Sequence, residues 1–415
     1  MPVKISYKSN HGIKGSYEVP LDKSIAQRSA ILGISTNTGV EGEDIVSTKK
    51  AAKQIRSGAD NLCLDMGNSG TGMRLMAGFI AGLGIDAELV GDESLSNRPM
   101  ERIAKPLREM GAEIHLKEGK PPIQIAKSNI ADEFIYDLEI PSAQIKSCLL
   151  LAALSAGTKI KIIEKETTRN HTELLLQHLD ADLEVKKSNG ETEIILDATK
   201  PITSKDVFVP GDFSSAAFLI GVALISKDAD ISIENVGINP TRIGFLKVLK
   251  EMNANIKIEN IREENNEQIG DIHVKYSALK SVIVAKDIIP NIIDELPLLS
   301  VLACFAEGVT KVSGASELRV KESDRLSAIE LMLKNIGVEF DVFEDGFNII
   351  GKGANHQFAS GNFASLGDHR IAMCSALCAL KATENIFIDD IQSVTTSFPN
   401  FFEILEQMGF TIEEA

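Results

Sequence analysis

The sequence predicts an α/β protein in which one structural unit recurs about six times. Two observations predict this architecture: a helix-end pattern returns roughly every 70 residues, and Ala/Leu-rich helices that open with polar residues lie between its copies. The chain has 415 residues, which is too long for one ordinary core. Its length therefore favours two or three domains.

The helix-end pattern joins an amphipathic helix to a half-buried strand. Gly, Asn or Asp follows each helix in a left-handed position, expected for Gly111, Asn253 and Gly337, and alternating apolar residues come next. The copies read LREMGAEIHL at 107–116, LQHLDADLEV at 176–185, LKEMNANIKI at 249–258, LKNIGVEFDV at 333–342 and LEQMGFTIEE at 405–414. The residues before the break, Met110, Leu179, Met252, Ile336 and Met408, are 69, 73, 84 and 72 positions apart. A further, degenerate copy is expected near residues 48–57.

Six Ala/Leu-rich helices are apolar nearly all round and are therefore expected to be buried. They lie at 22–33, 67–82, 141–157, 210–224, 292–308 and 366–380. Their first turns carry Ser, Thr, Asp, Lys and Arg. A helix N-terminus with its unpaired N–H groups attracts anions, so several of them in one cleft would bind anionic ligands. Ordinary N-capping also explains the Ser and Asp residues, but it does not explain the basic ones.

Two of these helix starts carry conspicuous polar motifs. In DKS…R, Lys23 and Ser24 open a helix and Arg28 lies on the same face as Ser24, which suits an anionic substrate or, alternatively, an exposed basic face. GNSGTGMR at 67–74 is rich in glycine and hydroxyl groups, so its amides can approach a phosphate closely. It matches neither the Walker loop nor GxGxxG.

Further charged residues occur in four short motifs. Arg98 precedes a proline in SNRPM, and Glu322 and Arg325 in VKESDR have the spacing of a helical ion pair, which is usually a surface feature. In GDHR, Arg370 opens an apolar helix, and the neighbouring histidine is compatible with a structural role as well as a functional one. Asp294 in IDELP lies among apolar residues, where a carboxylate either caps a helix or acts as a base with a shifted pKa.

Composition excludes several classes of function. The net charge of −16 opposes binding to nucleic acid or to anionic membranes, so the expected partners are small molecules. The five cysteines form no CxxC pair and are expected to be small buried hydrophobes in a reduced cytosol. No signal region and no apolar run of membrane-spanning length occurs, which predicts a cytoplasmic protein. No metal-ligand spacing is present.

Taken in order along the chain, these motifs resemble those of the 5-enolpyruvylshikimate-3-phosphate synthases. The series is DKS…R, GNSGTGMRL, RPM, SAQIKS, GDFSSAAF, DELP, LRVKESDRL, GDHRIAM and SFPNFFE, and it spans about residues 5–410. The resemblance implies transfer of the enolpyruvyl group of phosphoenolpyruvate to the 5-hydroxyl of shikimate-3-phosphate by addition and elimination, in chorismate and aromatic amino-acid biosynthesis.

The resemblance also implies a fold of two similar α/β domains, each made of three βαβαββ repeats with buried parallel helices, an inside-out α/β barrel. The first domain would comprise 1–20 and 211–415, and the second 21–210, with the active site in the cleft between them. No cofactor and no metal are expected, and the enzyme is expected to be a monomer.

The family's site residues carry over position by position. For shikimate-3-phosphate the expected ligands are Lys23, Ser24, Arg28, Ser142, Ala143, Gln144, Thr168, Asp294 and Lys321. For phosphoenolpyruvate they are Lys23, Gly70, Arg98, Gln144, Arg325 and Arg370. The expected catalytic residues are Asp294, which takes the 5-hydroxyl proton, Glu322, which handles the proton at the methylene carbon, and Lys23.

Some positions depart from the family's pattern. Thr168 replaces a phosphate-binding Ser but keeps a hydroxyl, and Thr396 stands where some members have a Lys that contacts phosphoenolpyruvate. Glyphosate competes with phosphoenolpyruvate in this family, and the hydrogen of Gly70 is expected to leave room for it.

Two rival functions remain open at this point. One is a UDP-N-acetylglucosamine enolpyruvyl transferase, which shares the fold but resembles Lys-Asn where this chain has Lys23–Ser24, and which uses a loop cysteine that residues 88–100 lack. The other is a non-catalytic repeat ring that clamps DNA, which the net charge of −16 opposes.

Overall fold

The computed structural model describes residues 1–8, 12–58, 62–188 and 190–415. Contacts divide this chain into two units. The first unit comprises Met1–Leu21, Pro210–Arg262 and Gln268–Ala415, and the second comprises Asp22–Val209 together with Glu263–Glu267. Within the described residues, every helix is too short or too polar to cross a membrane.

The second unit alternates helices with short strands. Its helices are α1 (Lys23–Leu32), α2 (Glu43–Arg56), α3 (Gly70–Leu83), α4 (Glu93–Ser96), α5 (Glu101–Glu109), α6 (Ala143–Ala156) and α7 (His171–His178). Its strands are β3 (Leu62–Asp65), β4 (Ala87–Val90), β5 (Glu113–Lys117), β6 (Lys120–Ala126), β7 (Glu133–Asp137), β8 (Lys159–Glu164), β9 (Asp182–Ser188) and β10 (Glu191–Asp197).

The first unit has the same alternation. Its helices are α8 (Phe213–Ile225), α9 (Gly244–Glu251), α10 (Ile289–Ile292), α11 (Leu296–Cys304), α12 (Arg325–Ile336), α13 (His369–Cys378) and α14 (Phe401–Gln407). Its strands are β1 (Val3–Tyr7), β2 (Lys14–Tyr17), β11 (Asp230–Gly237), β12 (Asn255–Glu264), β13 (Glu267–Lys275), β14 (Glu307–Val312), β15 (Glu339–Phe343), β16 (Gly346–Lys352), β17 (Gly361–Phe363), β18 (Ile386–Ile388) and β19 (Phe410–Glu414). Short 3₁₀ helices lie at Lys286–Ile288, Ser316–Val320 and Gln392–Thr396.

One strand order recurs from sheet to sheet. The four-stranded sheets are β3-β4-β6-β5, β7-β8-β10-β9, β2-β11-β13-β12 and β17-β18-β1-β19. In each, the first pair is parallel and the second is antiparallel. The third pair is also antiparallel in β3-β4-β6-β5, β7-β8-β10-β9 and β17-β18-β1-β19. The sheet β14-β16-β15 gains the missing parallel neighbour through bridges from Lys280 and Ile283. This order is what a repeated βαβαββ unit produces, because its parallel strands need a helical crossover and its last two strands form a hairpin.

The helix-end prediction is confirmed at all five copies. Each of α5, α7, α9, α12 and α14 is followed within a few residues by its strand. Gly111, Asn253 and Gly337 have φ of 111°, 68° and 72°, the left-handed region that lets the chain turn out of a helix. In the degenerate copy, α2 ends at Arg56, and a single parallel bridge between Thr36 and Val207 stands where a full pair of strands would lie.

The six Ala/Leu-rich segments form α1, α3, α6, α8, α11 and α13, and their side chains are buried on nearly every face. They fill two hydrophobic cores, one for each unit. The α3–α6 pair packs backbone against backbone at Gly78, where an added Cβ would lie 2.1 Å from the carbonyl oxygen of Cys148. Such close packing places the N-terminal turns of neighbouring helices side by side.

Candidate active site

The start of α1 holds a lysine against a buried carboxylate. Asp22 caps the helix by accepting from the amide of Ile25 at 3.0 Å, which leaves Lys23 and Ser24 in the first turn. Lys23 Nζ lies 2.8 Å from Asp44 Oδ2, and the two side chains are 24% and 8% exposed. The ammonium group is therefore held in one place and still reaches solvent.

Arg28 is buried, so the sequence alternative of an exposed basic face is wrong. Its Nε donates to Thr172 Oγ1 at 2.6 Å, and its Nη2 donates to Ser147 Oγ at 2.8 Å. Burial lowers the pKa of Arg28 to about 10, although the negative charges of Glu173 and Asp22 oppose the effect. The two hydroxyls orient the guanidinium and leave it a cation at neutral pH.

Gln27 connects the first turns of α1 and α3. Its Nε2 donates to Ser69 Oγ at 2.6 Å and to the carbonyl of Asp44 at 2.9 Å. Ser69 in turn caps α3 by accepting from the amide of Gly72 at 3.1 Å. A glutamine amide at this position thus aligns the lysine-bearing turn with the glycine-rich turn that follows Ser69.

Gly70 is the first residue of α3, and two guanidinium groups lie against it. A Cβ built on Gly70 would lie 2.8 Å from Arg98 Nη1 and 2.9 Å from Arg74 Nη1. Arg98 Nη2 donates to Asn68 Oδ1 at 2.7 Å, and Arg74 Nη2 donates to the Pro99 carbonyl at 3.1 Å. The space beside Gly70 is therefore occupied by arginine side chains, which changes the physical reason for the glycine.

The start of α6 contributes the next predicted residues. Ser142 caps the helix, and its hydroxyl accepts from the amide of Ile145 at 3.5 Å; Ala143 is the first helical residue. Gln144 Nε2 donates to Thr71 Oγ1 at 2.9 Å, which connects α6 to the first turn of α3. Contacts through Gln27 and Gln144 therefore bring the first turns of α1, α3 and α6, with their predicted residues, into one group.

The hydroxyl of Thr168, like that of Ser142, has a partner within the protein. Both the amide of Thr168, at 2.9 Å, and its hydroxyl donate to Glu164 Oε1. Glu164 is buried and pairs with Lys146 Nζ at 3.1 Å, and Lys146 also pairs with Glu173 at 2.7 Å. The hydroxyl of Thr168 can accept a hydrogen bond from a ligand, or donate one only after leaving Glu164.

In the first unit, two consecutive carboxylates precede α11. Glu295 occupies the N-cap position of α11 without a side-chain capping bond. Asp294 Oδ1 lies 3.5 Å from Lys321 Nζ and 3.6 Å from Arg325 Nη1. The main-chain carbonyl of Asp294 accepts from Arg370 Nη1 at 3.0 Å.

Arg325, expected in a surface ion pair, is only 1% exposed. Its Nε donates to Asp368 Oδ2 at 2.8 Å and its Nη2 to Glu322 Oε2 at 2.6 Å. Burial alone would lower the pKa of Arg325, but the charges of Asp368, Glu322 and Asp294 outweigh it and raise that pKa. Burial likewise opposes ionisation of Asp368, and the charge of Arg325 nevertheless lowers the pKa of that carboxyl.

Asp368 also organises α13. Its Oδ1 accepts from the amide of Arg370 at 2.9 Å, which caps the helix and fixes the residue that reaches the Asp294 carbonyl. The first unit thus brings together all five predicted residues it contains. They are Asp294, Lys321, Glu322, Arg325 and Arg370.

Sequence reasoning missed Arg242, which is 3% exposed and lies among the carboxylates of this group. Its Nη1 is 3.8 Å from Asp294 Oδ2 and 3.7 Å from Glu295 Oε1. The repeat contained a signal for it, because an arginine stands 10 to 12 residues before four of the helix ends. These arginines are Arg98, Arg169, Arg242 and Arg325.

Two other predictions concern residues outside these groups. The hydroxyl of Thr396 donates to the carbonyl of Ser393 at 2.7 Å within a 3₁₀ helix. The expectation of buried cysteines is wrong for Cys63, which is exposed because β3 alternates and turns its leucines inward. Burial raises the pKa of Cys148 to about 12, so its thiol is a packing group. Among the described residues, no group of His, Cys, Asp and Glu side chains is arranged to hold a metal ion.

Comparison with known proteins matches almost the whole chain. Residues 23–405 match the family model of EPSP synthase (3-phosphoshikimate 1-carboxyvinyltransferase). A 3-phosphoshikimate 1-carboxyvinyltransferase of Hydrogenovibrio crunogenus is 40% identical over 99% of each chain. One of Legionella pneumophila (strain Lens) is 40% identical over 97% of each chain.

Solved structures give the same match. An EPSP synthase from Acinetobacter baumannii superposes with a TM-score of 0.85 and 39% identity, covering 100% of this chain and 99% of the other. The enolpyruvyl transferase NikO from Streptomyces tendae superposes with a TM-score of 0.74 at 13% identity, again covering 100% and 99%. At that identity the second likeness establishes a shared fold and nothing more.

Proposed function

This chain belongs to the EPSP synthase family, and on that premise we propose that it transfers the enolpyruvyl group of phosphoenolpyruvate to the 5-hydroxyl of shikimate-3-phosphate and releases phosphate. The observation that carries the proposal is the position of Asp294, a carboxylate 3.5–3.8 Å from Lys321, Arg325 and Arg242. Cations close to a carboxylate base offset its repulsion of anionic substrates.

We assign the proton transfers to two carboxylates. Asp294 accepts the proton of the 5-hydroxyl as the hydroxyl oxygen forms a bond to C2 of phosphoenolpyruvate. At the same time Glu322 donates a proton to the methylene carbon. In the elimination step the bond between C2 and the phosphate oxygen breaks, and Glu322 takes a proton back from the methylene carbon. The proton held by Asp294 passes to the departing phosphate, which returns both carboxyl groups to their starting states. The 2.6 Å contact between Arg325 and Glu322 supports this assignment because it orients the carboxyl group.

The basic residues are assigned to the anionic groups of the substrates. Arg98, Arg325 and Arg370 suit the carboxylate and phosphate of phosphoenolpyruvate, since a guanidinium donates two parallel hydrogen bonds. Lys23 and Arg28 are proposed for shikimate-3-phosphate, together with Ser24, Ser142, Ala143, Gln144, Thr168 and Lys321. Gly70 leaves room for the guanidinium of Arg98, and Lys23 also stabilises the leaving phosphate.

The direct test is a phosphate-release assay with purified protein. Phosphate should appear only when phosphoenolpyruvate and shikimate-3-phosphate are both present. Release with UDP-N-acetylglucosamine as the acceptor, and none with shikimate-3-phosphate, would instead favour the rival enolpyruvyl transferase.

Gly70→Ala should weaken binding of phosphoenolpyruvate. The added methyl would press on the guanidinium groups of Arg98 and Arg74 from 2.8 and 2.9 Å, so Arg98 must move away from its hydrogen-bonded position. We expect the KM for phosphoenolpyruvate to rise about tenfold, the effect of losing one good contact, with little change for shikimate-3-phosphate. The inhibition constant of glyphosate, the longer ligand, should rise by more.

Gly221→Ala in α8 is the matched control for this substitution. Its Cβ would meet leucine side chains, 2.9 Å from Leu298 Cδ1 and 3.1 Å from Leu377 Cδ2, so it should lower Tm without a selective change in KM. An unchanged KM for phosphoenolpyruvate in Gly70→Ala would contradict the placement of Arg98 in the binding site.

A further inference from the structure

Arg242 lies beside two adjacent carboxylates, those of Asp294 and Glu295. Asp294 and Glu295 are consecutive carboxylates, and the side chain of Glu295 is 1% exposed while that of Asp294 is 15% exposed. Glu295 Oε2 is buried without a hydrogen-bond partner among the described residues. Two like charges so close together in a dry environment favour protonation of one of them unless a cation compensates.

The guanidinium of Arg242 bridges this pair. One nitrogen, Nη1, lies 3.8 Å from Asp294 Oδ2 and 3.7 Å from Glu295 Oε1. The other, Nη2, donates to Ser214 Oγ at 2.5 Å and reaches Asp212 Oδ1 at 3.4 Å. Both of these partners belong to the start of α8, where Asp212 is the helix cap, so the guanidinium is anchored to a rigid element.

Other charges also face Asp294, but they have different functions. Lys321 and Arg325 approach its other oxygen, Oδ1, at 3.5 and 3.6 Å, and both are assigned to substrates. Arg370 binds its main-chain carbonyl and lies 3.8 Å from Glu295. Glu322 and Asp368 face Arg325 instead. Arg242 thus approaches the side-chain carboxylates of both Asp294 and Glu295 through one nitrogen, whereas Arg370 meets Asp294 only at its main-chain carbonyl in these contacts.

We propose that Arg242 is a positioning residue that balances the adjacent charges of Asp294 and Glu295, and thereby keeps Asp294 able to accept the proton of the 5-hydroxyl. The inference rests on the function proposed above for Asp294. Arg242 makes no bond to substrate in this scheme. Its contacts with the start of α8 fix the position of its guanidinium, which orients the carboxylate of Asp294 and supplies the compensating charge.

The pH dependence of kcat separates this role from a structural one. Removing the cation favours the protonated form of the carboxylate pair, so Arg242→Gln should move the acid limb of the kcat profile to higher pH. A shift on the order of one pH unit is expected for the loss of one partly screened charge at this distance. At pH values above the limb, kcat and both KM values should stay within about threefold of the wild type.

Two further variants keep the test informative. Arg242→Lys retains the charge and should return the acid limb most of the way to its wild-type position. Ser214→Ala removes one anchor of the guanidinium and should produce a smaller shift in the same direction, which provides a readout if Arg242→Gln does not fold. Arg262→Gln, which removes a half-buried arginine that donates to Asn235 at 2.7 Å, is the control and should leave the profile unchanged.

Each outcome decides a different point. An Arg242→Gln profile that is lowered equally at all pH values, or a rise in KM with an unshifted limb, would overturn the positioning role. A wild-type protein that releases no phosphate from the two substrates would overturn the proposed function instead. The two failures are therefore distinguishable.

Discussion

Asp294→Asn should reduce kcat by roughly two to four orders of magnitude, the usual contribution of a general base. The amide has nearly the shape of the carboxylate, so the contacts of the main-chain carbonyl with Arg370 can persist. It cannot accept the 5-hydroxyl proton. Steady-state phosphate release with both substrates at saturation measures the effect on kcat.

Binding of shikimate-3-phosphate should change much less than kcat in this variant. Lys321 and Arg325, which lie 3.5 and 3.6 Å from the carboxylate, lose a counter-charge and should hold anionic ligands at least as well. Calorimetric titration would show this. Glu295→Gln is the matched control, because it neutralises the adjacent carboxylate. It should lower Tm and should reduce kcat far less than Asp294→Asn does. An Asp294→Asn enzyme within threefold of wild-type kcat would remove Asp294 from the chemistry.

Arg325→Leu should be the most destabilising substitution among the predicted site residues. Arg325 is 1% exposed and pairs with Asp368, which is fully buried, at 2.8 Å. Removing one member of a buried pair leaves the other charge uncompensated, which costs about 3–5 kcal/mol. Urea unfolding would measure this loss, and the KM for phosphoenolpyruvate should rise as well.

The pH dependence of this loss of stability follows from the lowered pKa of Asp368. Because the charge of Arg325 holds the pKa of Asp368 below 3.8, the pair stabilises the fold above that value and loses its contribution as the pH falls below it. In the variant, buried Asp368 is easier to protonate. The stability difference between the two proteins should therefore be largest near neutrality and shrink in acid.

Lys334→Leu is the control for removal of a cation from the same helix. Lys334 pairs with Glu330 at 2.9 Å on the surface, with side chains 58% and 43% exposed, so its loss should cost less than about 1 kcal/mol. An Arg325→Leu variant that is as stable as Lys334→Leu would contradict the buried pairing.

Much of the local structure could be predicted from sequence patterns because it depends on neighbours in the chain. The left-handed residues Gly111, Asn253 and Gly337 and the strands after them follow from periodicity and turn chemistry over about ten residues. The buried helices follow from apolar faces without a polar side. The enolpyruvyl transferase fold, expected from the motif series, is confirmed by structures covering the whole chain.

The candidate site residues of each unit were named from the family resemblance, because each stands at a matching position of the motif series. What their side chains do required tertiary contacts. Ser142 caps α6, Thr168 donates its hydroxyl to Glu164, and the glycine at position 70 accommodates two arginines. These partners are distant in sequence, so no local pattern could predict them.

By itself, the sequence determined the repeat and the buried helices, because these depend on residue type and short spacing. The anion-binding and proton-transferring candidates came from its resemblance to a known family. Only the tertiary structure decided the charge environment. Arg242 and Arg325 are far from Asp294 along the chain, yet their guanidinium nitrogens lie 3.8 and 3.6 Å from its carboxylate oxygens. Burial and distance set the strength of charge interactions, and both exist only after the chain has folded.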